Sequence, residues 1–153
     1  MWELDSQNFN RNFIPQKIEV SFFGFAKEQL FCGIKVFKGS NNTLKKINQQ
    51  ELSFFKDATR TREYESKSSQ EHHYSNYYYE AWKEKPIKES EDDRRSFIFE
   101  YGLGCADDMG LDKDLSKKIN LAANTKGSYY TGHHEGQLLV IPNLGIVVYS
   151  YMD

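Results

Sequence analysis

Residues 137–152, which read Q-L-L-V-I-P-N-L-G-I-V-V-Y-S-Y-M, constrain the fold of this chain more than any other stretch. Two apolar runs rich in β-branched and aromatic residues, 138–141 and 146–151, flank a Pro-Asn-Leu-Gly segment that suits a tight reversal. The pattern predicts a β-hairpin. Because both runs are nearly continuous in apolar residues, we expect the hairpin in the middle of a sheet whose two faces are at least partly covered.

The first half of the chain predicts two more antiparallel strands. Apolar and polar residues alternate over 18–22, and the phase changes around Gly24, which indicates a strand with a bulge or bend. A second run of β-forming residues, 30–37, would pair with it. Short strands are also predicted at 96–101 and 128–131.

Two helices are predicted from capping residues and apolar spacing. Thr43 is suited to cap a helix that carries Leu44, Ile47, Phe54 and Phe55 near one face, and Asp112 is suited to cap a second helix. With the strands, this order predicts one α+β domain over residues 1–153, built around a mainly antiparallel sheet with about two helices and a C-terminal β-hairpin.

Three polar stretches are predicted to lie outside this core. Residues 1–16 are interpreted as a lead-in segment that docks on the domain. Residues 59–73 indicate an exposed loop, although 59–66 would also suit a polar edge strand. Residues 83–95 are the most charged stretch and are expected to be exposed to solvent.

Charge and cysteine content limit the classes of function. The net charge of −2 provides no positive field for nonspecific attraction to nucleic acid. No window approaches the roughly 18 apolar residues of a membrane span, and the first residues do not resemble a signal peptide. Cys32 and Cys105 could form one disulfide, but their small or apolar neighbours favour two buried, reduced thiols. Together these observations predict a soluble cytoplasmic protein that binds neither nucleic acid nor membrane.

The histidines raise the possibility of a metal-dependent enzyme. All of them lie in two doublets, one at 72–73 and one formed by His133 and His134, which Glu135 follows. Imidazole and carboxylate are the usual ligands of zinc and non-haem iron. Adjacent residues on a strand point to opposite faces, however, so each doublet offers one ligand at a time unless it lies in a loop. We expect no metal and no cofactor.

A second enzymatic hypothesis comes from a sequence similarity. Ser53-Phe54-Phe55-Lys56 matches S-x-x-K, Tyr74-Ser75-Asn76 matches Y-x-N, and His134-Glu135-Gly136 before a strand is similar to a variant of K-T-G. In these three elements the chain resembles the serine β-lactamases and penicillin-binding proteins, which implies a serine hydrolase with Ser53 as nucleophile and Lys56 as its activator. The segment between Ser53 and His134 is too short for the helical subdomain of that family.

The third hypothesis is a protein-binding surface. Tyrosine and tryptophan crowd residues 74–82, and an acidic run follows them. Such aromatic side chains dominate many protein interfaces, although tyrosines that alternate between the core and a solvated face would produce the same pattern. The predicted partner surface comprises Tyr77, Tyr78, Tyr79, Trp82, Glu89, Glu91, Asp92 and Asp93.

From these patterns we expect a non-enzymatic protein-binding module. Its most concrete form is a bacterial immunity or inhibitor protein that neutralises a toxin, and its partner would present a basic patch to the acidic run. The alternative is a small hydrolase or metal-dependent enzyme that uses His133, His134 and Glu135, with Ser53 and Lys56 as a remote variant.

Overall fold

The computed structural model describes residues 11–28, 32–62, 64, 78–85, 104–105, 108–133 and 136–152. Within that part of the chain lie six strands and two α-helices. The first helix continues directly into a 3-10 helix, Glu51–Asp57. In chain order the elements are β1 (Val20–Glu28), β2 (Cys32–Gly39), α1 (Asn41–Gln50), β3 (Lys83–Glu84), α2 (Lys113–Ala123), β4 (Tyr129–Gly132), β5 (Gly136–Ile141) and β6 (Ile146–Met152).

The strands form one sheet in the order β1-β2-β6-β5-β4-β3, and every neighbouring pair is antiparallel. The β5–β6 hairpin occupies its centre. Residues Pro142–Leu144 turn the chain as a short 3-10 helix, and Gly145 closes the turn with a φ of 67°, a conformation that glycine adopts without strain. The predicted α+β class and the central hairpin are therefore confirmed, as is the bulge in β1, where the register shifts between Phe22 and Phe25.

Both faces of the central hairpin are buried. Leu138 and Val140 point into one core layer, whereas Leu139 and Ile141 point into the other. The first layer lies under residues 13–18, α1 and the 3-10 helix, and the second lies under α2. This two-sided coverage explains why the strands read as continuous apolar runs.

The helix starts follow local capping rules, with one correction. Asp112 caps α2, because its carboxylate accepts a hydrogen bond from the Leu115 backbone N–H at 3.0 Å. The prediction that Thr43 caps α1 is wrong: Ser40 is the N-cap, and its hydroxyl accepts from the Thr43 N–H at 3.1 Å. The Thr43 hydroxyl is instead buried and accepts from the backbone N–H of Glu19, which joins the helix to the start of β1.

The two cysteines form a disulfide, which corrects the prediction of reduced thiols. Cys32, at the start of β2, is bonded to Cys105, and their Cα atoms lie 6.5 Å apart. Their neighbours in sequence indicated burial, which holds for Cys32, whereas Cys105 is half-buried. Pairing across 73 residues depends on tertiary contacts that the local sequence does not encode. Disulfides are typical of oxidising compartments, so the thiol argument for a cytoplasmic protein no longer holds.

The polar stretches are described in part. Residues 14 and 15 dock on the domain, since Ile14 is fully buried and Pro15 forms a β-bridge with Thr61. Lys83–Glu84 pairs with β4 as an edge strand, and the Lys85 side chain is only 4% exposed. The remainder of 59–73 and 83–95 and the strand predicted at 96–101 lie largely or wholly outside the described residues. Among described helices, none is long and apolar enough to cross a membrane.

Candidate functional site

Two members of the predicted aromatic surface are core residues. Tyr79 and Trp82 are each 6% exposed. The Trp82 indole stacks on the Phe55 ring with their centroids 4.3 Å apart, and its Nε1–H donates to the carbonyl of Ala58 at 2.8 Å. The Tyr79 hydroxyl donates to the carbonyl of Phe13 at 2.7 Å. Their assignment to an exposed partner surface is thereby corrected, because these two side chains face the core whereas the other residues of 78–82 are exposed.

Tyr78 points the other way and remains at the surface. It is 36% exposed, and its ring lies edge-on to the ring of Tyr64, with centroids 5.1 Å apart. The Arg60 guanidinium lies 4.8 Å above the Tyr64 ring, and Arg60 also forms a β-bridge with Tyr78. Partial burial and the neighbouring Tyr64 raise the pKa of the Tyr78 phenol, against an opposing effect of Arg60. Arg60, Tyr64 and Tyr78 are called the surface cluster below.

The other predicted members of the surface lie outside the described residues, and their role stays a prediction. They are Tyr77, Glu89, Glu91, Asp92 and Asp93.

An open groove lies beside the core aromatic pair. The 3-10 helix turns Phe54 and Phe55 into the core and leaves Leu52 40% exposed at the rim. Phe55 and Trp82 contribute to the wall, and most of the exposed lining is hydrocarbon. The groove has a volume of about 380 Å³. This apolar groove is lined by Leu52, Ser53, Phe55, Lys56, Thr59, Ala81 and Trp82.

A second concavity adjoins the groove and is charged. Lys56 and Thr59 line both, so the two share a wall. The Lys17 ammonium donates to the carbonyl of Phe54 at 2.6 Å and lies 4.5 Å over the Phe54 ring, which holds the side chain in place. The volume is again about 380 Å³. This basic pocket is lined by Pro15, Gln16, Lys17, Lys56, Asp57, Thr59 and Arg60.

The histidine hypothesis is only partly covered by the structure. His133 is 4% exposed, and its Nε2 lies 3.0 Å from the hydroxyl of Tyr149, so the imidazole is held inside the first core layer. The rings of Phe13 and Tyr79 pack beside it, with centroids 5.8 and 5.1 Å from that of the imidazole. No cluster of three or more metal-ligating side chains occurs among the described residues. His72, His73, His134 and Glu135 lie outside them.

Ser53 and Lys56, the pair proposed for a serine hydrolase, both line the apolar groove. The Ser53 hydroxyl donates to the backbone carbonyl of Gln50 at 2.6 Å, one turn earlier. This bond satisfies the hydroxyl locally, whereas an activated nucleophile needs its proton directed to a base. His134, the third member of that hypothesis, lies outside the described residues.

Comparison of the chain with protein-family models, curated proteins and solved structures found no match. Among the described residues, the candidate features for function are the apolar groove, the basic pocket and the surface cluster. Sequence reasoning missed Lys17, Leu52 and Arg60 as parts of one surface. A weak signal was present for Leu52, an apolar residue two positions before the buried Phe54–Phe55 pair.

Proposed function

We propose that this chain is a non-enzymatic protein-binding module and that its partner docks at the apolar groove. The observation that carries the proposal is Leu52: a large aliphatic side chain, 40% exposed, stands at the rim of a groove whose wall includes buried Phe55 and Trp82. A concave site of this kind, with a rigid aromatic wall, suits the burial of an apolar anchor from another protein.

The surface cluster supports the same proposal. Tyrosine and arginine are among the residues that most often contribute strongly to binding at protein interfaces. Arg60 belongs both to this cluster and to the lining of the basic pocket, which itself shares Lys56 and Thr59 with the groove. Groove, pocket and cluster thus form one continuous surface, and Tyr78 is the exposed aromatic residue at its edge.

The concrete form of the proposal is an immunity or inhibitor protein that neutralises a bacterial toxin. Small size, slight net negative charge and the predicted acidic run at 89–93 support it, and the acidic run would meet a basic patch on the partner. The Cys32–Cys105 disulfide favours an oxidising compartment over the cytoplasm that the sequence led us to expect.

Two matched substitutions test the proposal on a reconstituted pair. The partner is captured with the native chain and identified, and the dissociation constant of the two purified proteins is measured by calorimetry. Leu52→Gln removes the exposed anchor of the groove and should weaken binding about tenfold, or about 1.4 kcal/mol. Leu121→Gln is the control, since Leu121 is 68% exposed on α2, which packs on the opposite face of the sheet.

Equal effects of the two substitutions would remove the groove from the proposal. A hydrolytic activity that disappears on Ser53→Ala or His134→Ala, in a chain with no protein partner, would replace the binding module by the enzyme hypothesis. In the enzyme hypothesis Ser53 must exchange its bond to the Gln50 carbonyl for one to a general base.

A further inference from the structure

We infer that the segment which docks at the groove is acidic: it places an apolar side chain in the apolar groove and carboxylates in the adjoining basic pocket. This inference rests on the proposed function and adds the chemistry of the partner. It is separate from the sequence-based expectation of a basic partner patch, because that patch would face the acidic run at 89–93.

The geometry allows one short segment to reach both concavities. Lys56 and Thr59 line the apolar groove on one side and the basic pocket on the other. Consecutive residues of an extended peptide are spaced by roughly 3.3 Å, so an apolar residue and a carboxylate one or two positions away suffice to bridge a shared wall.

The charge of the pocket selects an anion. Lys17, Lys56 and Arg60 line it against the single carboxylate of Asp57, and the side chains of all four are exposed. Two of the cations are already positioned, Lys17 by the Phe54 carbonyl and Arg60 by the Tyr64 ring, which lowers the entropy cost of pairing. Each exposed ion pair contributes about a two- to fivefold gain in affinity, and less at high salt.

A second groove on the opposite face provides a matched control. It lies between α2 and the turn after β5 and has a volume of about 280 Å³. Lys118 and Lys126 line it together with the exposed Leu121, so it carries the same kinds of side chain. Within the described residues it lacks an adjoining cluster of arginine and tyrosine, and for that reason we assign the acidic segment to the first groove.

The test uses two synthetic peptides and the full ¹⁵N-labelled chain. Both peptides have a glycine and serine host with one central leucine, flanked by three aspartates in one peptide and by three lysines in the other. Titrations followed by amide chemical shifts report both affinity and location. The aspartate peptide should shift amides of Glu51–Asp57 and bind at least about fivefold more tightly than the lysine peptide at low salt.

Charge reversal then assigns the preference to named side chains. The Lys56→Glu/Arg60→Glu variant should lose the preference for the aspartate peptide, whereas Lys118→Glu/Lys126→Glu, which reverses as many cations on the other face, should keep it. Lys17 is left unchanged because it also bonds to the Phe54 carbonyl. Unchanged thermal unfolding of both variants is the control for folding.

Three results would overturn the inference. If the two peptides bind the first groove with equal affinity, the acidic preference fails while the binding groove stands. If the aspartate peptide shifts amides around Leu121 instead, the wrong groove has been assigned. If neither peptide binds, the inference fails, and the proposed function is then decided separately by Leu52→Gln in the reconstituted pair.

Discussion

Replacement of Trp82 by alanine should strongly destabilise the protein. The indole is 6% exposed, stacks on Phe55 and donates to the carbonyl of Ala58. Truncation of a buried tryptophan costs about 3–5 kcal/mol of the free energy of unfolding. For a chain of 153 residues, each kcal/mol lowers the melting temperature by about 2–4 °C. The Trp82→Ala melting temperature should therefore fall by about 6–20 °C.

Two further variants test the origin of this loss. Trp82→Phe keeps a ring beside Phe55 but leaves the buried Ala58 carbonyl without its donor, which costs about 1–3 kcal/mol. Tyr78→Ala removes a neighbouring exposed aromatic residue and should change stability much less. Calorimetric melting of the three variants checks the order. A Trp82→Ala melting temperature as high as that of Tyr78→Ala would refute the core assignment and return Trp82 to the surface.

Three other perturbations have defined outcomes. Val147→Ala, in the centre of β6, should lower the free energy of unfolding by about 1–3 kcal/mol in urea titrations, and rapid amide exchange throughout 138–151 would contradict its central position. Reduction of the Cys32–Cys105 disulfide should cost about 2–4 kcal/mol, and an intact mass that matches two free thiols would show that the bond is absent. Burial, and secondarily Tyr149, raise the pKa of the Tyr79 phenol well above its usual value. The Tyr79 phenol therefore ionises at a lower pH in the unfolded chain than in the folded chain. Its contribution to stability is complete below about pH 10 and is lost as the pH rises further. Tyr79→Phe should make the loss of stability above about pH 10 less steep.

The central part of the fold could be predicted because its signals are local. The apolar runs at 138–141 and 146–151 need cover on both faces, which places them inside a sheet, and Asp112 directly precedes an amphipathic segment. The start of α1 was predicted three residues too late, at Thr43, although Ser40 also has the side chain of a good cap. The disulfide could not be predicted, because Cys32 and Cys105 meet only after the sheet has formed.

The candidate site was predicted only in part. Tyr78 and Tyr79 are adjacent tyrosines, and the sequence does not reveal which of two identical side chains faces the core. The apolar groove and the basic pocket combine residues 15–17, 52–60 and 81–82, which are far apart along the chain. Their proximity follows from the packing of the 3-10 helix on Trp82, a long-range contact without a periodic signature.

Site-specific photo-cross-linking tests the central claim, that a protein partner docks at the apolar groove. Benzoylphenylalanine replaces Leu52 in one variant and Leu121 in a matched variant, and each is irradiated with the purified partner. Both positions are exposed, at 40% and 68%, so the probe should be accommodated at either. We predict a cross-linked complex from position 52 and at most a trace from position 121. Equal cross-linking from both positions, or cross-linking from position 121 alone, would contradict the account.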